Sequence, residues 1–167
     1  MKLRFKTQGF KELSQTLRGL SDDVRKRVLK RAARAGGLVV EEEAKRNAPV
    51  LKKADPRRIA GTLKKNIRTV SVKDKSIDGA AVKVHVRKLS RKAISAFKGK
   101  TGKSSAENPD DPFYARFVEY GTSKMSAQPF LRPALMTKRA EAVNAMRNEV
   151  KRGIDREARR RARKAKG

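Results

Sequence analysis

The chain has 167 residues, no cysteine and no tryptophan, and its 45 Lys and Arg against 17 Asp and Glu leave a net charge of +28. That length suits one ordinary domain with a modest core, and the missing cysteines exclude a disulfide framework and any thiolate metal site. No apolar run approaches the ~20 residues of a membrane span and MKLRFKTQGF has no signal-peptide core, so a soluble, unexported chain with no membrane partner is expected, one whose charge seeks a polyanion: nucleic acid or an acidic protein face.

Leu3 and Phe5 alternate with charged residues as in a short strand that Gly9 ends. Phe10, Leu13, Leu17 and Leu20 follow at three- and four-residue steps, the stripe of a short amphipathic helix. Ser21 before Asp22 and Asp23 is a helix start with carboxylates at the positive end of the dipole. Val24, Val28, Ala32, Ala35 and Val39 then line one face of a long helix that Pro49 ends, and its small residues, Gly36 and Gly37 among them, let another helix come close. Residues 50–65 read as a basic loop around Asp55-Pro56. Val70 and Val72 suggest one strand; Val82, Val84 and Val86 alternate with Lys83, His85 and Arg87 in a second, with one buried and one cationic face. Asp78-Gly79 is the turn signal between them.

Residues 90–111, rich in Lys, Ser and Gly, read as a mobile basic loop. Asp111-Pro112 resembles an N-cap and first helical residue ahead of an apolar helical face of Phe113, Tyr114, Phe117 and Val118, which Gly121 stops. Pro133 opens a last helix with the stripe Ala140, Val143, Met146, Val150 and Ile154, and REARRRARKAKG follows as a basic tail. The expected architecture is α+β: a long N-terminal amphipathic helix and a C-terminal helix packed on a small, mainly antiparallel β-sheet. One domain over 1–155 carries the flexible basic loop, and 156–167 is the basic C-terminal tail.

Catalysis needs a nucleophile, base or metal cluster with supporting neighbours, and the sequence offers little of this. The single histidine, His85, falls on the polar side of its strand. Glu41, Glu42 and Glu43 point about 100° apart on a helix, with Lys45 and Arg46 four residues after the first two as surface pairs. Residues 99–104, GKTGKS, resemble a phosphate-binding loop, yet Gly99 and Gly102 are too close together and no strand precedes them. No catalytic, metal or cofactor-binding residue is expected.

Charge sets one segment apart. Residues 1–50 hold 13 basic and 6 acidic side chains, 51–105 hold 17 and 3, 106–130 hold 2 and 4, and 131–167 hold 13 and 4. Inside and just beyond the one acidic block stand FYARFVEYGT and AQPFLRPAL. Tyr114, Ala115, Phe117, Val118, Glu119, Gly121 and Thr122, then Gln128, Pro129, Phe130, Arg132, Pro133 and Ala134, resemble the signature of a family of tail-component proteins of long, non-contractile-tailed bacteriophages, whose members are described as neck, head-to-tail joining, tail completion or minor tail proteins. Asn47-Ala48-Pro49 and Gly61-Thr62-Leu63 before Ile67 agree with it, with Asn66 where a serine is common, and the resemblance spans roughly residues 10 to 150.

The resemblance implies a structural virion protein without enzyme activity, made in the host bacterial cytoplasm. It implies a homo-oligomeric ring of six copies at the head–tail joint, meeting connector, tail terminator or tail tube proteins. Gly121 is suited to a positive φ, and Glu119 beside it is expected to accept backbone N–H groups or pair with Arg132. Between Pro129 and Pro133, Phe130 and Leu131 either project as interface anchors or fill the subunit's own core. Lys98, Lys100 and Lys103 in the loop, with Arg156, Arg159, Arg160, Arg161, Arg163 and Lys164 in the tail, are the candidates for contact with the packaged DNA end or with acidic protein faces. The alternative function is a general basic nucleic-acid-binding protein.

Overall fold

The computed structural model describes residues 15, 17–51, 58–72 and 80–165. The strand expected at Leu3 and Phe5, the residues Phe10 and Leu13, the Asp55-Pro56 loop and the Asp78-Gly79 turn lie outside the described residues. In chain order the elements are α1 (Asp22–Asn47), α2 (Thr62–Asn66), β1 (Ile67–Val72), β2 (Ala81–Val86), α3 (Arg91–Thr101), a 3-10 turn (Ser105–Glu107), α4 (Ala115–Tyr120), α5 (Leu131–Thr137) and α6 (Arg139–Lys164). The fold is α+β, and β1 and β2 pair in a two-stranded antiparallel sheet. The chain forms two compact units, one from Met1–Val40, Thr69–Val84 and Lys138–Gly167, the other from Glu41–Arg68 and His85–Thr137.

In the first unit, α1 starts with Asp22 and Asp23 in its opening turn, matched to the positive end of the helix dipole. Val24, Val28 and Ala32 are buried as expected, but the buried face then passes through Ala33, Gly36, Gly37 and Val40, leaving Ala35 and Val39 half-buried. The two glycines explain the turn. A Cβ on Gly36 would lie 2.6 Å from Met146 Cγ of α6, and one on Gly37 2.5 Å from Thr69 Cγ2 of β1 and 3.2 Å from Val82 Cγ2 of β2. Consecutive helical positions point about 100° apart, so one glycine seats a helix and the next seats the sheet.

Leu17, Val24, Val28, Ala32 and Val150 form the core of this unit, with Leu20, Leu29, Met146 and Ile154 packed against it. On α6 the buried row is Ala142, Val150 and Gly153; Ala140, expected in the stripe, is exposed in the first turn. α6 also runs on to Lys164, so the segment expected as a tail is helical through nine of its residues, Arg156 to Lys164. Arg and Ala are good helix formers, Arg160 and Arg161 reach Glu157 one turn back, and cations suit the negative end of the dipole.

The sheet buries Ile67 and Thr69 from β1 and Val82 and Val84 from β2. Val70 and Val72 lie on the opposite, half-exposed face of β1.

In the second unit, residues 90–111 are not a loop throughout, since α3 occupies Arg91–Thr101. Ser90 caps it by accepting the Ala93 N–H at 3.2 Å, Gly102 ends it at φ 69°, and Ile94 and Phe97 are half-buried on one side. The high Lys content hid a helix that its two caps delimit. Asp111 does not cap α4, which begins at Ala115. It is buried and accepts the Ser105 hydroxyl at 2.7 Å, tying the 3-10 turn to the start of the motif segment.

Candidate functional site

The motif segment of the second unit is built around one carboxylate. Glu119, in the last turn of α4, is buried and accepts three backbone N–H groups: Phe130 at 2.9 Å and Leu131 at 3.0 Å on Oε2, and Arg132 at 3.0 Å on Oε1. Those are donors at the opening of α5, which have no partner within their own helix. Glu119 therefore caps α5 from eleven residues away, with its charge at the positive end of the helix. The expected backbone acceptance is what the structure shows, and Arg132 takes part through its main chain while its side chain is exposed.

The intervening turn is closed by the backbone. Gly121 ends α4 at φ 76°, and a Cβ there would meet Ala127 N and Met125 O at 2.9 Å each. Thr122 N–H donates to Met125 O at 2.8 Å, and Gln128 N–H donates to Val118 O at 2.8 Å. Thr122, Gln128 and Pro129 have exposed side chains, while Val118, Leu131 and Pro133 are half-buried.

Phe130 is fully buried and is the largest completely enclosed side chain among the described residues. It fills the protein's own interior and does not project as an anchor, because the Glu119 clamp draws its main chain inward. The exposed aromatic residues are others. Phe113 and Phe117, expected to be buried on α4, are 39% and 46% exposed, and Tyr120 is 74% exposed. Phe113 packs edge-on against half-buried Tyr114 and against Phe117, with ring centroids 5.9 and 6.5 Å apart. The Arg58 guanidinium lies 4.8 Å from the Phe113 ring centroid and 5.5 Å from that of Tyr114, and donates to Ala106 O at 3.0 Å. Burial raises the Tyr114 phenol above its ordinary pKa, with Arg58 opposing.

Arg58 and Tyr120 escaped the sequence reading. Arg58 stands in what reads as a loop and meets its partners 48 or more residues away, a relation no local pattern carries. Tyr120 follows Phe113 and Phe117 at the i, i+4, i+7 spacing of one helical face, and that spacing was the signal in the sequence.

The basic candidates fall into separate units. Lys98 and Lys100 are exposed in the last turn of α3 and Lys103 just beyond it. GKTGKS thus sits at a helix C-terminus, the negative end of the dipole, whereas a phosphate-binding loop precedes a helix N-terminus. Arg156, Arg159, Arg160, Arg161, Arg163 and Lys164 are exposed on α6, with Arg156 bonded to Glu149 at 2.6 Å. Glu41 is buried and pairs with Lys45, while Arg46 pairs with Glu43 rather than Glu42. His85 is half-buried, not wholly exposed.

The motif segment is thus a turn that Glu119 caps from within and that exposed aromatic rings flank, in an α+β chain. The family model described as "Bacteriophage HK97-gp10, putative tail-component" matches residues 11–121. The chain belongs to this HK97-gp10-like family of phage tail components, and a tail component is part of the virion. The match runs from the segment before α1 through Gly121 and leaves Thr122 and residues 128–134 of the motif outside it. No curated protein and no solved structure matches the chain.

Proposed function

We propose that the chain is a structural, non-enzymatic subunit of a six-copy ring at the joint between phage head and tail. It completes the tail and joins it to the DNA-filled head through contacts with connector, terminator or tube proteins. The observation that carries this reading is the exposed aromatic face of Phe113, Phe117 and Tyr120 beside Arg58, within a member of a tail-component family. Aromatic and Arg side chains are the residues that dominate protein interfaces. Among the described residues, eight of the nine exposed large apolar side chains, Val50, Leu51, Ile59, Phe113, Phe117, Tyr120, Met125 and Met136, belong to the second unit. Charge supports the same face: copies carrying +28 repel each other, and the motif segment 106–130 is the one block with more acid than base.

The test is complementation of a phage lacking this gene. Filled heads beside full-length unjoined tails are expected in its absence. The wild-type chain is expected to restore joining, and a Phe117→Lys/Tyr120→Lys variant of unchanged melting temperature to fail. Normal infectious particles without the protein would overturn the reading and favour the alternative, a general nucleic-acid-binding protein.

A further inference from the structure

Within the first unit, α1 and α6 run antiparallel: Gly36 meets Met146, and Val28 meets Gly153. Their paired ends enclose a groove of about 170 Å³ lined by Arg27 and Arg31 from α1, Arg156, Glu157 and Arg160 from α6, and a floor of Val24, Val28 and Gly153. A second hollow continues along α6, lined solely by Arg156, Arg159, Arg160, Arg163 and Lys164. The two share Arg156 and Arg160 and so form one furrow. Among the described residues no carboxylate pairs with Arg27, Arg31, Arg159, Arg163 or Lys164, and Glu157 is already shared between Arg160 and Arg161.

We propose that this furrow holds the phosphate backbone of double-stranded nucleic acid, with α1 and α6 acting together as a sequence-independent clamp. Four observations favour that occupant. The charged lining of the furrow is six arginines and Lys164 against the single carboxylate of Glu157, and the planar arginine fork matches phosphate oxygens. Its apolar floor is buried, Val24 and Val28 being 8% and 6% exposed, so it offers none of the apolar anchors that a protein partner would use. It contains no aromatic ring on which unpaired bases stack, which disfavours a single strand. Finally, Arg156 to Lys164 on a helix spans about 12 Å, long enough to follow roughly three to four phosphates of one strand. Arg27 and Arg31 are the new members of the contact: they stand far from the basic C-terminal run in sequence and join it through the Val28–Gly153 approach.

The inference goes beyond the proposed role at the head–tail joint, and it is separable from ring assembly. The full chain is titrated against a fluorescent 20-bp DNA duplex by anisotropy across a series of salt concentrations. Two charge-matched variants are compared, each checked by thermal melting: Arg27→Gln/Arg31→Gln/Arg156→Gln/Arg160→Gln in the furrow, and Arg87→Gln/Lys88→Gln/Arg91→Gln/Lys92→Gln in the second unit. The furrow variant is expected to lose on the order of 100-fold in affinity and about three units of the log–log salt slope. The control is expected to lose less than about fivefold, and both to keep the wild-type oligomeric mass. Equal losses in the two variants, tighter binding of the single strand, or displacement of the duplex by polyglutamate at equal charge would each overturn the proposal. A change in oligomeric mass caused by Phe117→Lys/Tyr120→Lys, with duplex binding intact, would leave the furrow standing and bear on the interface alone.

Discussion

Glu119 carries more of the local structure than any other side chain of the motif. Removing it leaves three N–H donors at the start of α5 without an acceptor, one of them fully buried with Phe130. Glu119→Ala is therefore expected to cost about 2–4 kcal/mol in chemical denaturation. Glu119→Gln keeps the shape but has one carbonyl oxygen for three donors, so it should recover only part of that loss; full recovery would show that the charge and the second oxygen are dispensable. At Glu107 the predicted effect is one of pH. Its carboxylate accepts the Ser104 N–H at 3.0 Å and the Ser104 hydroxyl at 3.1 Å. These bonds, backbone first, hold it below the ordinary glutamate value of 4.5. A depressed carboxylate stabilises the turn above the unfolded-state value, and the contribution disappears as pH falls through the lower folded value. The Ser104 amide resonance should titrate with a midpoint below 4.5, and Glu107→Gln should abolish that titration. That Glu119 must find donors was legible in the sequence, because a carboxylate lies there among apolar residues, but backbone N–H groups and the Arg132 side chain were both open as partners. Which donors it finds was not legible, since eleven residues of turn separate them.

At the scale of elements, glycines at comparable helical positions have opposite consequences. Gly37 faces the branched side chains of Thr69 and Val82, which cannot move aside easily, whereas Gly99 in α3 has nothing within 4 Å of where a Cβ would sit. Gly37→Ala is expected to destabilise by about 1–2 kcal/mol, the overpacking cost exceeding the gain in helix propensity. Gly99→Ala should stabilise by about 0.5–1 kcal/mol for want of any clash. Thermal melts of the two variants check both signs, and a stabilising Gly37→Ala would mean that helix and sheet do not pack through it. The start of α1, its end before Pro49, and the β2 alternation could be read from local pattern. α3 could not, because Lys outnumbers its two larger apolar residues and only the Ser90 and Gly102 caps betray it. Nor could the buried face of β1, where Val70 and Val72 advertise one side and Ile67 and Thr69 are buried on the other.

For the whole molecule, +28 means that like charges oppose the compact state wherever salt does not screen them. Raising NaCl from about 0.01 M to about 0.5 M should raise the melting temperature by several degrees; a flat or falling response would show that self-repulsion is already offset within the fold. The sequence by itself determined what depends on composition and near neighbours: the charge, the helix–strand class, the boundaries of α1, the motif, and the phage tail-component family. These follow from periodicity, caps and residue identity within a few positions. Only the tertiary structure decided that Phe130 is core while Phe113, Phe117 and Tyr120 face outward, that Arg58 stacks on the motif rings, and that Arg27 and Arg31 join the arginines of α6. Each of these turns on which side of an element meets another element distant in the chain, and that is set by close approaches such as Gly36 to Met146 and Val28 to Gly153.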